Sequence, residues 1–286
     1  MNCMYRMHQR GVLQGVIGSF LLGLAGLVAA PATAGVVFKI TFDNADVQTP
    51  APAAYIPGSG EISFPGYGGY WTNNTGGLPI GHSIEATPGG LQGGRGLRVP
   101  GGGWGTAYSG YHHRGGGGLP QLSLNAAGKG FTMEISCLFS NRTGQLMASG
   151  WNIYPALSTT AGSGNNMTVT FSFTHTSTNA TTPSLPLADG KHHHIAAVYT
   201  LGAIGALTKL QVYVDRVLVA SNAYLETASY YLNAGDSAVG KGYNDWPYSS
   251  SALIDAAALS DTPLEPAAFV LPTSAPATKG TAVLIK

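Results

Sequence analysis

The feature that most constrains the fold is a two-residue alternation of apolar and polar side chains, clearest in FTMEISCLF at residues 131–139. In a β-strand such alternation sorts side chains onto two faces. After residue 34, no window of about 11 residues has the 3.6-residue apolar period of an amphipathic helix. The pattern therefore predicts an all-β sandwich or barrel. One face of this strand would be apolar and would hold an inert core thiol: Phe131, Met133, Ile135, Cys137 and Phe139.

Similar patterns predict further strands along the chain. They lie at residues 35–44, 145–151, 167–173, 192–200 and 209–221, the last broken by a hairpin turn at Asp215-Arg216, with two short strands around an aromatic loop in 237–259 and a last strand at 280–285 beside the first. Residues 58–118 contain 22 glycines interleaved with aromatic and β-branched residues. We interpret this segment as short strands joined by glycine loops, with disordered low-complexity sequence as the alternative.

One helical turn is predicted near the C-terminus, in SDTPLEPAAFV from Ser260 to Val270. Thr262 can cap it, Pro263 takes the first helical position, and Glu265 lies three residues after the cap. This spacing is typical of a helix start.

The N-terminus has the pattern of a secretory signal peptide. Arg6 and Arg10 precede an uncharged, mostly apolar run, which ends in Ala32-Thr33-Ala34. We predict cleavage after Ala34, so that residues 1–34 are the signal and residues 35–286 form one secreted or extracytoplasmic domain. The alternative is an uncleaved membrane anchor, because the run is long enough to span a bilayer.

The charge and cysteine content limit the possible partners. Without Arg6 and Arg10, 12 Lys and Arg residues stand against 13 Asp and Glu residues. Such a balance argues against nucleic acid, and against a membrane surface after signal cleavage, because both attract a basic field. With Cys3 in the signal, Cys137 has no intramolecular disulfide partner.

Five segments, in this order, resemble the laminin-G-like members of the concanavalin A-like lectin/glucanase superfamily. They are GRGLRVPGGG (94–103), GKGFTMEISCLF (128–139), LADGKHHHIAAVY (187–199), LQVYVDRVLVAS (210–221) and AVGKG with ALIDAAALSDTPLEP (238–266). The resemblance implies a two-sheet antiparallel jelly-roll β-sandwich. Four positions depart from the family pattern: His192 replaces a tryptophan, Ser136 lies near a second lost tryptophan, Arg216 replaces the glycine of an Asp-Gly turn, and Ala256 replaces the glutamate of Ile-Asp-Glu. Because a type I′ turn requires positive φ at both central residues, Arg216 implies either a different turn or a strained one.

Three consecutive histidines, His192 to His194, raise the question of a metal site. His192 and His194 would share a face of a regular strand, and could hold zinc or copper with a third ligand from His112, His113 or His175. The favoured interpretation is structural, with the histidines at a strand's start, half exposed and hydrogen-bonded across the sheet.

Some members of this superfamily bind sugars or proteins, and others hydrolyse or cleave polysaccharides. The retaining glucanases carry Glu-x-Asp-x-x-Glu on one strand, whereas Glu134 stands alone here, flanked on its face by Thr132 and Ser136. The nucleophile-elbow and HExxH motifs, and the basic cluster of a lyase, are also missing. We therefore expect recognition without chemistry, with a polysaccharide hydrolase or lyase as the alternative.

The resemblance also implies a structural calcium ion, which would link the end of the first strand to a residue near the end of the domain. The matching positions are Asp43, Asp46 and Asp255. Calcium prefers such carboxylate oxygens. Alternatively, Asp43 and Asp46 form a turn after the first strand.

Aromatic residues with polar neighbours are concentrated in three segments, residues 101–114, 149–155 and 240–251. Aromatic rings beside a few polar groups are typical of sugar sites, although they could also cap the ends of the sandwich. The sequence thus predicts a lectin-like or extracellular recognition protein with a glycan or protein partner, a structural surface or matrix protein being a third possibility. The candidate ligand-binding residues are Tyr243, Asn244, Asp245, Trp246, Tyr248, Trp104, Tyr108 and Trp151.

Overall fold

The structure is a computed structural model. It describes residues 35–41, 70–72, 83–87, 89–90, 94–99, 111–114, 121–124, 126–149, 155–173, 178–225, 230–233, 237–240 and 252–273. These residues belong to one compact unit, Ala34–Lys286. Over the same ranges no helix has the length and apolar character needed to cross a membrane.

The described residues are mainly antiparallel strands, followed by a short 3-10 helix at Pro266–Ala268. The predicted all-β class is confirmed. The strands are β1 (Val36–Thr41), β2 (Tyr70–Thr72), β3 (Ser83–Ala86), β4 (Arg95–Val99), β5 (Tyr111–Arg114), β6 (Gln121–Leu124), β7 (Gly130–Phe139), β8 (Gly144–Ala148), β9 (Ala156–Ala161), β10 (Met167–Ser172), β11 (Ala180–Thr181), β12 (His193–Thr200), β13 (Leu207–Val214), β14 (Val217–Leu225), β15 (Tyr230–Asn233), β16 (Ala238–Val239) and β17 (Ala252–Ser260).

Two large sheets form the sandwich. The first has the order β14-β13-β12-β7-β17-β4-β3, and β1 also pairs with β17. The second has the order β11-β10-β9-β8-β16-β5-β2, while β6 and β15 form a small separate sheet. This arrangement is the concanavalin A-like sandwich that the resemblance implies.

The main core lies between the two large sheets and contains the apolar face predicted for β7. The Phe131 ring stacks on Tyr199 at 5.1 Å and meets Phe171 of the second sheet edge-on at 6.2 Å. Cys137 is a free, fully buried cysteine. Burial, with smaller effects from Asp255 and Asp215, raises the pKa of the Cys137 thiol well above its ordinary value. The predicted core position of this thiol is therefore confirmed, and its raised pKa agrees with an inert group.

The opposite face of β7 is buried as well, under the C-terminal segment 261–273. Thr132 Oγ1 donates to the Thr262 carbonyl and accepts the Leu264 N–H, both at 2.8 Å. Leu264 and Phe269 pack against the apolar side chains of β12 and β13 on this face. The polar face of β7 is thus an interior layer rather than a solvated surface.

The predicted helical turn lies later in the chain than expected. The 3-10 helix begins at Pro266, Glu265 occupies its N-cap position without a side-chain cap, and the Thr262 hydroxyl donates to Asp261 Oδ1 instead. The physical reason is tertiary, because the Thr132 hydroxyl already binds the backbone at Thr262 and Leu264. The prediction of Thr262 as the cap is therefore wrong.

The strand registers define two ends of the sandwich. We call the end with Phe139, His193 and Ala252 the upper end, because Ala252 pairs with Phe139 and His193 with Cys137. The end with Gly130 and Thr200 is the lower end, where these two residues pair. In the second sheet, the short link 140–143 leads from Phe139 into β8. β8 therefore runs from the upper end toward the lower end.

Candidate functional site

Most of the predicted site residues lie outside the described residues. Asp255 is the exception and lies in β17. Those outside are Trp104, Tyr108, Trp151, Tyr243, Asn244, Asp245, Trp246 and Tyr248 of the ligand prediction, Asp43 and Asp46 of the calcium prediction, and the segment 280–285.

The described strands nevertheless fix where two aromatic-rich segments join the fold. Segment 100–110 follows Val99, which pairs with Ala252 at the upper end, and precedes Tyr111 of β5. Segment 241–251 follows β16 and precedes Ala252. β16 is antiparallel to β8, so the chain runs along β16 toward the upper end. β5 is antiparallel to β16, so the chain enters β5 at the upper end. Both segments therefore join strand ends directed to the upper end.

The third aromatic segment joins the fold at the other end. Residues 150–154 connect β8 to β9, and Ala148 pairs with Ala156 at the lower ends of these strands. The Ser149 N–H donates to the Pro155 carbonyl at 3.0 Å, so the two ends of this connection are held together. The predicted Trp151 therefore follows a strand end of the lower end, unlike Trp104 and Trp246.

A histidine held between two carboxylates lies at the upper end. His193 Nδ1 is 2.8 Å from Asp215 Oδ2, and His193 Nε2 is 3.2 Å from Asp189 Oδ1. A neutral imidazole can donate from only one ring nitrogen, so two ionised carboxylate partners favour the doubly protonated ring. We call Asp189, His193 and Asp215 the His193 cluster.

The pKa shifts in the His193 cluster agree with this geometry. The hydrogen bond to Asp215, opposed by burial and aided by Asp189, raises the pKa of His193. The pKa values of both aspartates are lowered, since their hydrogen bonds outweigh the effect of burial. His192 behaves in the opposite way, because burial and the nearby His193 lower its pKa.

The hairpin turn that supplies Asp215 has the left-handed backbone predicted as one of two options. Asp215 has φ 50° and Arg216 has φ 68°, and Val214 pairs with Val217 around them. Positive φ at both central residues is the geometry of a type I′ turn, which Arg adopts at a steric cost. The Asp215 carboxylate accepts the His194 N–H at 2.9 Å, and the Asp215 N–H donates to the His194 carbonyl at 2.8 Å. These bonds hold the turn in place.

His194 forms a buried pair with Glu134 on the face covered by the C-terminal segment. His194 Nε2 lies 3.0 Å from Glu134 Oε2, and both side chains are fully buried. The same carboxylate accepts the Val270 N–H at Oε1 and the Leu271 N–H at Oε2, each at 2.9 Å. Glu134 is thus a hydrogen-bonded carboxylate within the fold.

These contacts favour the structural interpretation of the three histidines, but the expected half exposure is wrong for His194, which is fully buried between β7 and the C-terminal segment. His193 and His194 bond carboxylates, whereas the ring nitrogens of His192 are buried with no hydrogen-bond partner in the described part of the chain. Across the same residues, no group of three or more His, Cys, Asp or Glu side chains could hold a metal ion. His175 lies outside the described residues, as do the side chains of His112 and His113.

Asp255 is a buried carboxylate beside an irregularity in β17. It is 1% exposed, and the register of β17 against β7 shifts between Ile254 and Ala256. Asp255 Oδ1 accepts a hydrogen bond from Thr87 Oγ1 and Oδ2 accepts one from Ser136 Oγ, both at 3.4 Å. No motif in the sequence indicated Thr87. Ser136 could have been anticipated only by knowing that β17 pairs with β7.

Similar folds occur among solved structures of low sequence identity. Domain 4 of AbnA, a GH43 extracellular arabinanase from Geobacillus stearothermophilus, in complex with arabinotriose, is 18% identical over 83% of this chain and 97% of that one, with a TM-score of 0.46. The binding domain of Paraclostridial Mosquitocidal Protein 1 is 10% identical over 82% of this chain and 50% of that one, with a TM-score of 0.50. At such identities the likeness concerns the fold alone.

The family is shown by sequence. No curated protein sequence matches the chain. Residues 119–268, more than half of the chain, match the family model of laminin-G-like domains in the concanavalin A-like lectin/glucanases superfamily. The matched region contains β7, the three histidines, the β13–β14 hairpin and the Glu134–His194 pair. The protein therefore belongs to the laminin-G-like family of the concanavalin A-like lectin/glucanase superfamily.

Proposed function

We propose that the protein is a secreted or extracytoplasmic lectin-like domain that binds a glycan at its upper end without chemical conversion. The observation that carries the proposal is the position of the strand ends around segments 100–110 and 241–251, both directed to the upper end. These segments contain Trp104, Tyr108, Tyr243, Trp246 and Tyr248, and rings of this kind stack on sugar faces.

Two further observations support a binding role. The upper end has a defined scaffold, since the His193 cluster joins the segment before β12 to the β13–β14 turn. Glu134, the acid considered for catalysis, is fully buried and accepts two backbone N–H bonds in addition to its contact with His194. A carboxylate held in this way is committed to the fold.

The proposal separates the predicted aromatic residues into two groups. Asn244 and Asp245 belong to the upper group with Trp246 and would orient sugar hydroxyls. Trp151 belongs to the connection between Ser149 and Pro155 and is assigned to a position outside the glycan site. A tryptophan in each group provides a matched comparison.

A glycan array with the chain lacking residues 1–34, alongside the full chain, tests the proposal. We expect binding to at least one glycan, and a loss of at least about tenfold in Trp246→Ala and Trp104→Ala, because stacked rings carry much of the affinity in such sites. Trp151→Ala should bind as the parent does.

Three outcomes would contradict this function. Failure to bind any glycan overturns it, and binding only to an extracellular protein would replace the glycan as ligand. Release of reducing ends or unsaturated sugars from polysaccharides would favour the hydrolase or lyase alternative.

We also propose a structural calcium ion held by Asp43, Asp46 and Asp255. Asp255 fits this role because its carboxylate is buried beside the β1–β17 pair. β1 ends at Thr41, which pairs with Ala256, so the chain leading to Asp43 leaves the sheet next to Asp255. Carboxylate oxygens are the ligands that calcium prefers.

A further inference from the structure

The turn between β12 and β13, at the lower end of the sandwich, carries an unbroken run of exposed apolar residues. Residues 203–207, with the sequence AIGAL, are all exposed. Ile204 is 71% exposed and Leu207 is 59% exposed, and Leu207 pairs with Leu225, which is 58% exposed. We call residues 203–207 and Leu225 the apolar tip. Exposed runs of this kind are normally avoided, so the apolar tip indicates a surface that is removed from water by a partner.

The apolar tip is built as a defined turn. The Ala206 N–H donates to the Ala203 carbonyl at 2.7 Å, which closes a β-turn with Ile204 at its apex. Gly205 has φ 84°, the left-handed value that favours glycine at this position of a turn. The apex side chain is therefore presented by an ordered backbone, and binding does not have to order a loose loop.

Hydrogen bonds within the protein also satisfy backbone groups at the base of the apolar tip. The Leu201 N–H donates to the Lys129 carbonyl at 2.8 Å, and the Leu201 carbonyl accepts the Gly128 N–H at 2.9 Å. The Gly202 N–H donates to Thr208 Oγ1 at 2.9 Å. Lipid chains offer no hydrogen-bonding groups, so a segment that enters them needs internal bonds of this kind.

Two exposed lysines flank the apolar tip. Lys129 adjoins it through the bond between its carbonyl and Leu201. Lys209 lies two residues after Leu207, on the same exposed side of β13. An aliphatic tip with a basic rim is complementary to an anionic lipid surface, because each lysine near the headgroups adds to the attraction.

The carboxylates of the C-terminal segment lie elsewhere on the sheet. Asp261 accepts the Gly35 N–H beside β1, and Glu265 follows Leu264, whose N–H donates to Thr132 of β7. Glu226, which follows Leu225, lies outside the described residues. The near balance of charge in the whole chain argued against a membrane surface, but a whole-chain balance does not record how two lysines flank one turn.

We propose that the apolar tip inserts into the surface of an anionic phospholipid bilayer, with Lys129 and Lys209 against the headgroups. The apolar tip contains no aromatic, methionine or arginine side chain, the types enriched at protein interfaces, and this favours lipid over a protein partner. Three large aliphatic side chains and two lysines form a small contact. We therefore expect reversible binding with an association constant of about 10⁴ M⁻¹, as for one myristoyl chain.

Cosedimentation with vesicles tests the proposal, using the chain lacking residues 1–34 with the full chain in parallel. Vesicles of phosphatidylcholine and phosphatidylserine should bind at least about fivefold more tightly than phosphatidylcholine alone, and added salt should reduce the difference. Ile204→Asp should lower the association constant at least about tenfold, because a carboxylate is costly in the bilayer. The double variant K129E/K209E should lose at least about tenfold on the anionic vesicles and little on the neutral ones.

Val217→Asp is the matched control, because Val217 is also an exposed aliphatic residue, 63% exposed, but follows the β13–β14 turn at the upper end. It should bind vesicles as the parent does, and circular dichroism should show the same fold for every variant. Failure of the parent to bind anionic vesicles at about 1 mM lipid, tenfold above half-saturation, overturns the proposal.

Two other results would also overturn it. Vesicle binding that Ile204→Asp leaves unchanged would place the contact elsewhere on the protein. A concentration-dependent dimer without lipid that Ile204→Asp abolishes, seen by sedimentation velocity, would assign the apolar tip to a protein contact. Glycan binding is proposed at the opposite end of the sandwich and is measured without lipid, so the two proposals fail independently.

Discussion

At the residue scale, His193 gives the protein a definite pH dependence. The folded state raises the pKa of His193 above its ordinary value of 6.5, mainly through Asp215. A raised histidine pKa contributes stability that is complete below about pH 6.5 and is lost as pH rises through the folded value. We therefore expect the melting temperature to fall between about pH 6 and pH 8, measured by differential scanning calorimetry.

Two substitutions, at the neighbouring residues His193 and His192, test this prediction. His193→Gln should be less stable than the parent at pH 6, because it lacks the imidazolium that pairs with the two aspartates. Its melting temperature should therefore fall less between pH 6 and pH 8. His192→Gln is the matched control and should keep the fall in melting temperature. Burial lowers the pKa of His192, so its contribution to stability changes with pH in the opposite direction. The groups facing His193 include Asp189, Asp215 and Lys191, whose ammonium is 3.5 Å from Asp189. An unchanged slope in His193→Gln would contradict the assignment.

The three histidines show which features of single residues could be predicted from the sequence and which could not. Their position at the start of a strand and their structural role were predictable from the alternation of IAAVY and from the family motif. Their partners were not, because Glu134 is 60 residues away and meets His194 only when β12 pairs with β7. The positive φ at Arg216 was predictable only as one of two options, since turn geometry depends on the contacts of Asp215.

At the element scale, the contact between β7 and the C-terminal segment should be a main source of stability. Glu134→Ala would leave the His194 ring and the Val270 and Leu271 N–H groups without their buried acceptor. We expect a loss of about 3–5 kcal/mol in the free energy of unfolding, measured by urea denaturation, because unpaired buried polar groups are costly.

The control for this prediction removes an exposed carboxylate of the same residue type. Glu85 pairs with Arg98 at 3.1 Å, with side chains 41% and 32% exposed. Glu85→Ala should cost at most about 1 kcal/mol, as is usual for surface ion pairs. If the two variants were equally stable, the C-terminal segment would not depend on Glu134.

Strands with a clear apolar alternation were predictable at this scale, whereas polar strands were not. β7, β10, β12 and the β13–β14 hairpin lie close to their predicted bounds. β9, with the sequence ALSTTA, was not predicted, because its small and hydroxyl-bearing side chains show little apolar alternation. Its position between β8 and β10 in the sheet, rather than its own sequence, makes it a strand.

At the scale of the whole molecule, calcium bound as proposed would link the start of the domain to its last long strand and stabilise the whole fold. Binding only to the folded state adds about 2.7 kcal/mol when the free ion is at 100 times its dissociation constant. For a domain of this size that is a rise in melting temperature of about 5–10 °C in calcium relative to EDTA. The shift should vanish in Asp43→Asn and Asp46→Asn and persist in Asp261→Asn, whose carboxylate accepts the Gly35 N–H at 2.9 Å. Magnesium at the same concentration separates calcium binding from ionic strength, and equal melting temperatures in calcium and EDTA would exclude the structural ion.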